Sequence, residues 1–139
     1  MFFALMVSPV SASEPKDILV KRTIEMLENG DIVTTEVYEC EVQPRSGKNG
    51  YVTSTYVDAT GRAIWMLTVT GSFTYNGVSS RATSAEASVY INNTTKAKFV
   101  SKNAYTSGAT ATGTATVTYL DSRTTRSASV SCDKNGNLY

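Results

Sequence analysis

Residues 109–119 read Ala-Thr-Ala-Thr-Gly-Thr-Ala-Thr-Val-Thr-Tyr. Successive side chains of a strand point to opposite faces, so this period of two puts Thr110, Thr112, Thr114, Thr116 and Thr118 on one face. The other face carries Ala109, Ala111, Gly113, Ala115, Val117 and Tyr119, small at one end and large at the other. A glycine inside a strand marks a close approach of something else, and here that place is Gly113.

The same alternation recurs upstream. Over Ala63 to Tyr75, Trp65, Leu67, Val69, Phe73 and Tyr75 fall on one side, and Met66, Thr68, Thr70, Ser72 and Thr74 on the other. This is the expected core strand. Asn76-Gly77 follows it directly, the sequence signature of a type I′ hairpin, in which both central residues need positive φ. The returning strand is expected to turn Thr83, Ala85, Ala87, Val89 and Ile91 to the core and to end at Asn92-Asn93. Further strands fit Tyr51 to Asp58, Lys96 to Tyr105, and Arg123 to Cys132 with Ala128, Val130 and Cys132 inward. Asp58-Ala59-Thr60-Gly61, Ser107-Gly108 and Asp121-Ser122 punctuate them.

Ile18 to Leu27 reads two ways. As a strand it sets Ile18, Val20, Ile24 and Met26 on one face, and Asn29-Gly30-Asp31 turns it back into Ile32 to Val42. As a helix it groups Val20, Ile24 and Leu27, with Gly30 as the C-cap. The β-rich pattern that follows at once favours the hairpin. Pro44 to Gly50 reads as a loop. Seven or eight short strands at this spacing predict an all-β fold, an antiparallel β-sandwich with Greek-key connections, immunoglobulin-like in the broad sense. A small β-barrel is the alternative, and the connections are too short for parallel crossovers.

At the N-terminus, Met1-Phe2-Phe3-Ala4-Leu5-Met6-Val7 is an apolar block that Pro9 interrupts, and Val10-Ser11-Ala12 offers small residues to a signal peptidase. Residues 1–12 are therefore expected to be a signal peptide, although no Lys or Arg precedes the block. Residues 13–139 are the expected single domain, exported from the cell, with no transmembrane span in the mature chain. In an oxidising compartment two cysteines most often pair. Cys40 and Cys132 would then close a loop of roughly 90 residues, worth on the order of 4 kcal/mol in the chain-entropy model.

Four stretches together resemble small, uncharacterised, secreted β-rich proteins of gut Gram-positive bacteria. They are Ile24 to Glu36, Ala63-Ile64-Trp65 leading to Thr70–Gly77, Ser101-Lys102 to Thr118, and Ser131-Cys132-Asp133-Lys134-Asn135-Gly136. These are strand and turn patterns, so the resemblance implies a fold and no chemistry. It also implies a Cys shortly after the Asn-Gly turn, paired with the C-terminal one. This chain has Ala82 near that position, so a Cys40–Cys132 pair would be a departure.

With 139 residues, 13 Lys+Arg against 12 Asp+Glu and no His, the chain is too short for a two-domain enzyme and has no basic stripe for nucleic acid. The missing histidines remove the usual general base and the Ser/His and Cys/His pairs. Ser13-Glu14-Pro15-Lys16 matches Ser-x-x-Lys without its companion Lys-Thr-Gly. Glu39 and Glu41, two apart, could flank a glycosidic bond, but read more simply as a solvated face. Asp133-Lys134-Asn135-Gly136-Asn137 begins like a calcium loop with no bidentate Glu following, and reads as a turn. No enzyme, metal or cofactor is expected.

Binding is the remaining class. Tyr51, Tyr56 and Tyr105 lie near expected strand ends and are candidates for a glycan or protein surface, whereas Trp65 reads as core. Lys96, Lys98 and Lys102 share one expected face and, with Arg123 and Arg126, could meet an anionic cell-wall polymer. The alternative is a secreted effector acting on membranes. A pore-forming hairpin would need the alternation twice, and Arg126 falls on the apolar side of the next strand. Ice binding would need Thr arrays on several strands, and the sequence offers one.

Overall fold

The alternation of residues 109–119 becomes a strand buried on one face and part-exposed on the other in the computed structural model, which describes residues 17–41, 47–92, 94 and 96–139. The strands are β1 (Ile18–Met26), β2 (Ile32–Glu39), β3 (Lys48–Val57), β4 (Ala63–Tyr75), β5 (Ser80–Ile91), β6 (Ala97–Ser107), β7 (Thr110–Tyr119) and β8 (Ser122–Ser131). All pairings are antiparallel. They form a five-stranded sheet, β1-β2-β3-β4-β5, and a three-stranded sheet, β6-β7-β8. The smaller sheet packs across β3, β4 and β5, while β1 and β2 extend past it. This is an antiparallel β-sandwich and not a closed barrel.

Two expectations about the path change. Within each sheet the described strands run in chain order, so that each pairs with its neighbour in sequence and one crossing links the sheets, and among the described residues there is no Greek key. Residues 18–26 are strand, which settles the helix alternative. The signal peptide, its cleavage point after Ala12, the Ser13–Lys16 motif, residue 93 and residues 44–46 of the expected 44–50 loop lie outside the described residues. Lys48, Asn49 and Gly50 already belong to β3.

Val52, Leu67, Val69, Ala111, Val117 and Val130 are fully shielded from solvent between the sheets, with Trp65, Phe73 and Ile64 beside them. Each fully buried large apolar side chain contributes on the order of 2 kcal/mol. Ala128 and Val130 of β8, and Cys132 just past its end, are buried inward, as the alternation predicts. Gly71 and Gly113 let the sheets meet closely. A Cβ on Gly71 would lie 2.8 Å from the Ala111 Cβ, and one on Gly113 would collide with Val69.

Among the described residues, four bulges reset the faces. Ile64 is the extra residue where β3 meets β4, so Ile64 and Trp65, adjacent in sequence, are both buried. Thr83 is the extra residue of β5, so Ala82 turns inward and Thr83, expected in the core, is exposed. Val20 and Val100 interrupt β1 and β6. A bulge leaves one residue unpaired and re-aims everything beyond it.

The β4–β5 hairpin forms where expected, but through a wider loop. Tyr75 pairs with Ser80, and of Asn76–Ser79 only Gly77 has positive φ, at 85°. The Asn76 Oδ1 accepts from Val78 N and Ser79 N at 2.9 and 2.8 Å, so its side chain organises the turn. The two-residue turn with both residues at positive φ is instead Leu120-Asp121, at 49° and 64°.

Candidate functional site

Cross-strand register decides which side chains share the outer face of the larger sheet. Tyr38 pairs with Tyr51, Glu36 with Thr53, and Thr34 with Thr55, while Thr53 and Thr55 face Thr68 and Met66 of β4. Directly opposed residues of an antiparallel pair lie on one face, about 5 Å apart. Tyr38 and Tyr51 accordingly stack, ring centroids 5.0 Å apart and 20° from parallel. With Asp17, Glu36, Thr53, Thr55, Met66 and Thr68 they line an open depression of about 620 Å³.

Its polar groups are fixed by one another. The Tyr51 hydroxyl donates to Asp17 Oδ2 at 2.7 Å, and the Tyr38 hydroxyl to Glu36 Oε1 at 3.2 Å. Arg22 grips the other Glu36 oxygen, with Nε at 2.7 Å and the terminal nitrogen at 2.6 Å. Burial pushes both tyrosine hydroxyls above their usual range, and the neighbouring carboxylates add to the shift. Tyr38 and Tyr51 therefore stay protonated donors across the physiological range.

Of the residues singled out by sequence, Tyr51 is in this depression. Tyr56 is not a surface residue: it is only 5% exposed, because its position two residues on from Ser54 and four from Val52 faces it inward. Its hydroxyl donates to Asp31 Oδ2 at 2.5 Å, and its ring lies against Trp65 and Tyr119. Arg126, inward as the alternation predicts, places its guanidinium 5.9 Å from the Tyr56 ring centroid. Tyr105 is half exposed on the opposite sheet, opposite Thr112, and is not brought together with Tyr51.

The basic candidates divide. Lys98 pairs with Thr118 and Thr118 with Arg123, so these cations share the outer face of the smaller sheet, and Lys96 and Lys98 border a second hollow with Asp121. Lys102 pairs with Ala115, an inward position, because the Val100 bulge turns it to the other face. The expected single lysine face is therefore not formed. The outer face of β7 continues onto its neighbours more than the sequence suggested, with Ser101 and Thr125 beside Thr116, and Ser129 beside Thr112. Its hydroxyls bond in pairs, Thr110 with Ser131 at 2.7 Å, Thr112 with Ser129 at 2.9 Å and Thr116 with Thr125 at 2.9 Å.

The expected Cys40–Cys132 disulfide is not formed. Asp17, which accepts from the outer-face Tyr51, lies beside Cys40, whereas Cys132 is inward near Lys48 and fully buried. Burial raises both thiols above their usual pKa. Glu39 closes on Lys48 at 2.8 Å, and Glu41 lies beyond the end of β2, so they do not share a strand face. Asp133 Oδ1 accepts from Asn135 N and Asn137 N, both at 2.9 Å, and Asp133 Oδ2 from Asn137 Nδ2 at 3.1 Å. The calcium-like segment is thus a self-satisfied turn. Among the described residues no group of three or more His, Cys, Asp or Glu could hold a metal, and no helix is long and apolar enough to cross a membrane.

Tyr38, Glu36 and Asp17 do not stand out in the sequence. Their signal is only a joint one, since positions 34, 36 and 38 meet 51, 53 and 55 on one face once the β2–β3 register is known. Compared with protein-family models, curated proteins and solved structures, the chain matches none.

Proposed function

We propose that the protein is a secreted, non-catalytic binding module whose outer five-stranded face takes a glycan. The observation that carries this reading is the stacked Tyr38–Tyr51 pair in a shallow depression, bordered by Asp17, Glu36 and the hydroxyls of Thr53, Thr55 and Thr68. A sugar ring offers C–H groups to an aromatic surface and hydroxyls to acceptors placed around it. The Arg22 contact supports a binding role for Glu36, because it occupies one carboxylate oxygen and fixes the other as an acceptor at the edge of the depression.

The test is co-sedimentation of the purified chain with insoluble peptidoglycan and a panel of polysaccharides, at low and high salt. Salt-resistant binding that Tyr51→Ala reduces at least tenfold supports the reading. Binding lost at high salt, or by Lys98→Ala with Tyr51→Ala inert, transfers the role to the basic row around Lys98 and Arg123. No binding to any polymer overturns the glycan reading. Export is tested separately: N-terminal sequencing of protein from the medium should begin at Ser13.

A further inference from the structure

Strand β1 is the outermost strand of the larger sheet, and among the described residues nothing pairs with its free side. All its residues are exposed, including Ile18, Leu19, Val20, Ile24 and Met26, at 41–74% of their surface. A nine-residue open edge this apolar presents unpaired N–H and C=O groups to any strand that fits it. What fits is limited by charge. Lys21, Thr23 and Glu25 face the inner side, opposite Val37, Thr35 and Val33 of β2.

We infer that two copies of the chain pair antiparallel through β1 about a two-fold axis at Thr23, making one continuous ten-stranded sheet. In that register residue numbers across the seam sum to 46. Each Lys21 faces Glu25 of the second copy, twice over, and Val20 faces Met26. Ile24 faces Arg22, whose aliphatic stem covers it while the guanidinium stays on Glu36. Glu25 has room for the second cation, being 61% exposed and only loosely held by Arg126 at 3.8 Å. Inward charges on an edge strand ordinarily repel a partner. Here their order, one of each sign two residues either side of Thr23, makes the strand complementary to itself. The Val20 bulge ends the ladder, which selects this register over longer slips.

An edge-to-edge pair of this kind keeps both outer faces on one side. At about 4.8 Å per strand, the two depressions, each centred on β3, would sit roughly 24 Å apart measured across the strands, suited to two sites on one polymer strand. That consequence rests on the glycan reading; the dimer does not.

Sedimentation equilibrium of the purified chain, up to about 100 μM, reads the pairing directly, since a micromolar Kd would give mostly dimer there. The expected result is a dimer, with Lys21→Glu and Glu25→Lys each raising Kd at least tenfold. A 1:1 mixture of those two variants should dimerise again, because one chain then carries acid at both positions, the other carries lysine at both, and every cross-seam pair is of opposite sign. Circular dichroism of each variant alone establishes that the sandwich is intact. A wild-type monomer at all concentrations overturns the inference, and so does a dimer that neither charge reversal weakens or that the mixture fails to restore. Glycan binding by a monomer would leave the proposed function standing while removing the dimer.

Discussion

Val69 of β4 occupies the space that a side chain on Gly113 of β7 would need: a Cβ built there meets the Val69 Cγ2 in hard collision, with Cγ1 at 3.3 Å and the Ala87 Cβ at 3.2 Å. Glycine at 113 is therefore what sets the distance between the two sheets at their centre. Gly113→Ala should destabilise the protein by about 1–3 kcal/mol, because Val69 is fully buried and has no free space to turn into. Urea unfolding measures it. Val69→Ala combined with Gly113→Ala should cost less than the two single changes added, since each relieves the other. Additive costs would remove the contact as the cause.

That close approach was legible in the sequence, because a glycine weakens a Thr-alternating strand unless another surface needs the room its missing side chain leaves. The span Ala63–Tyr75, the burial of Trp65 and the inward Arg126 were legible through a strict period of two. Bulges defeated the period. Thr83 is exposed because it is itself an unpaired residue, and Lys102 sits on the face opposite to that expected because the unpaired Val100 inverts the parity beyond it; a bulge is set by pairing between strands and is not written in the period of either one. Tyr56 has a simpler reason: it shares parity with Val52, and nearness to a strand end does not override parity. The depression around Tyr38 and Tyr51 needed the β2–β3 register, which no single strand contains. The turn chemistry misled too, since Asn76-Gly77 lost its I′ geometry to a loop organised by the Asn76 side chain.

Leu120 and Asp121 sit at φ 49° and 64°, the left-handed region that β-carbons disfavour, and Leu120 is 59% exposed. Left-handed backbone costs about 1 kcal/mol or more for a residue that carries a Cβ, such as leucine. Asn-Gly is the pair that this turn type prefers. Replacing Leu120-Asp121 by Asn-Gly should raise stability by about 0.5–1.5 kcal/mol, seen as a higher urea midpoint with unchanged slope. A lower midpoint would mean that Leu120 contributes packing that its exposure does not suggest.

Burial, with the bond to Asp31, holds the Tyr56 hydroxyl up to about 12 from an ordinary 10.0. The folded state thus keeps a proton that the unfolded state releases, so stability from this group is complete below about pH 10 and declines as pH rises toward about 12. Thermal melts from about pH 9 upward should show that decline, and Tyr56→Phe should flatten it. At neutral pH the same substitution should cost about 1–3 kcal/mol, because Asp31, only 6% exposed, loses its closest donor. An unchanged alkaline profile in the variant would exclude Tyr56 as its source.

Leu138 closes the far end of the sandwich. It is 5% exposed, lies over Gly50 of β3 where no side chain could fit, and pairs by a bridge with Cys132. Tyr139 is tied to Ser131 by two backbone bonds, N to O at 3.0 Å and O to N at 2.9 Å. These contacts cover a thiol with no exposed surface, whose pKa burial has raised, so Cys132 should resist alkylation in the native protein at neutral pH. Leu138→Ala should destabilise by about 2–4 kcal/mol and speed Cys132 labelling in a Cys40→Ser background by roughly the corresponding factor, through opening of this end. Removing residues 137–139 should go further, giving labelling in the folded state under conditions where the sheets remain intact by circular dichroism. Protection of Cys132 that survives the truncation would show that the β8 end is closed by the sheets themselves and that the tail merely lies on them.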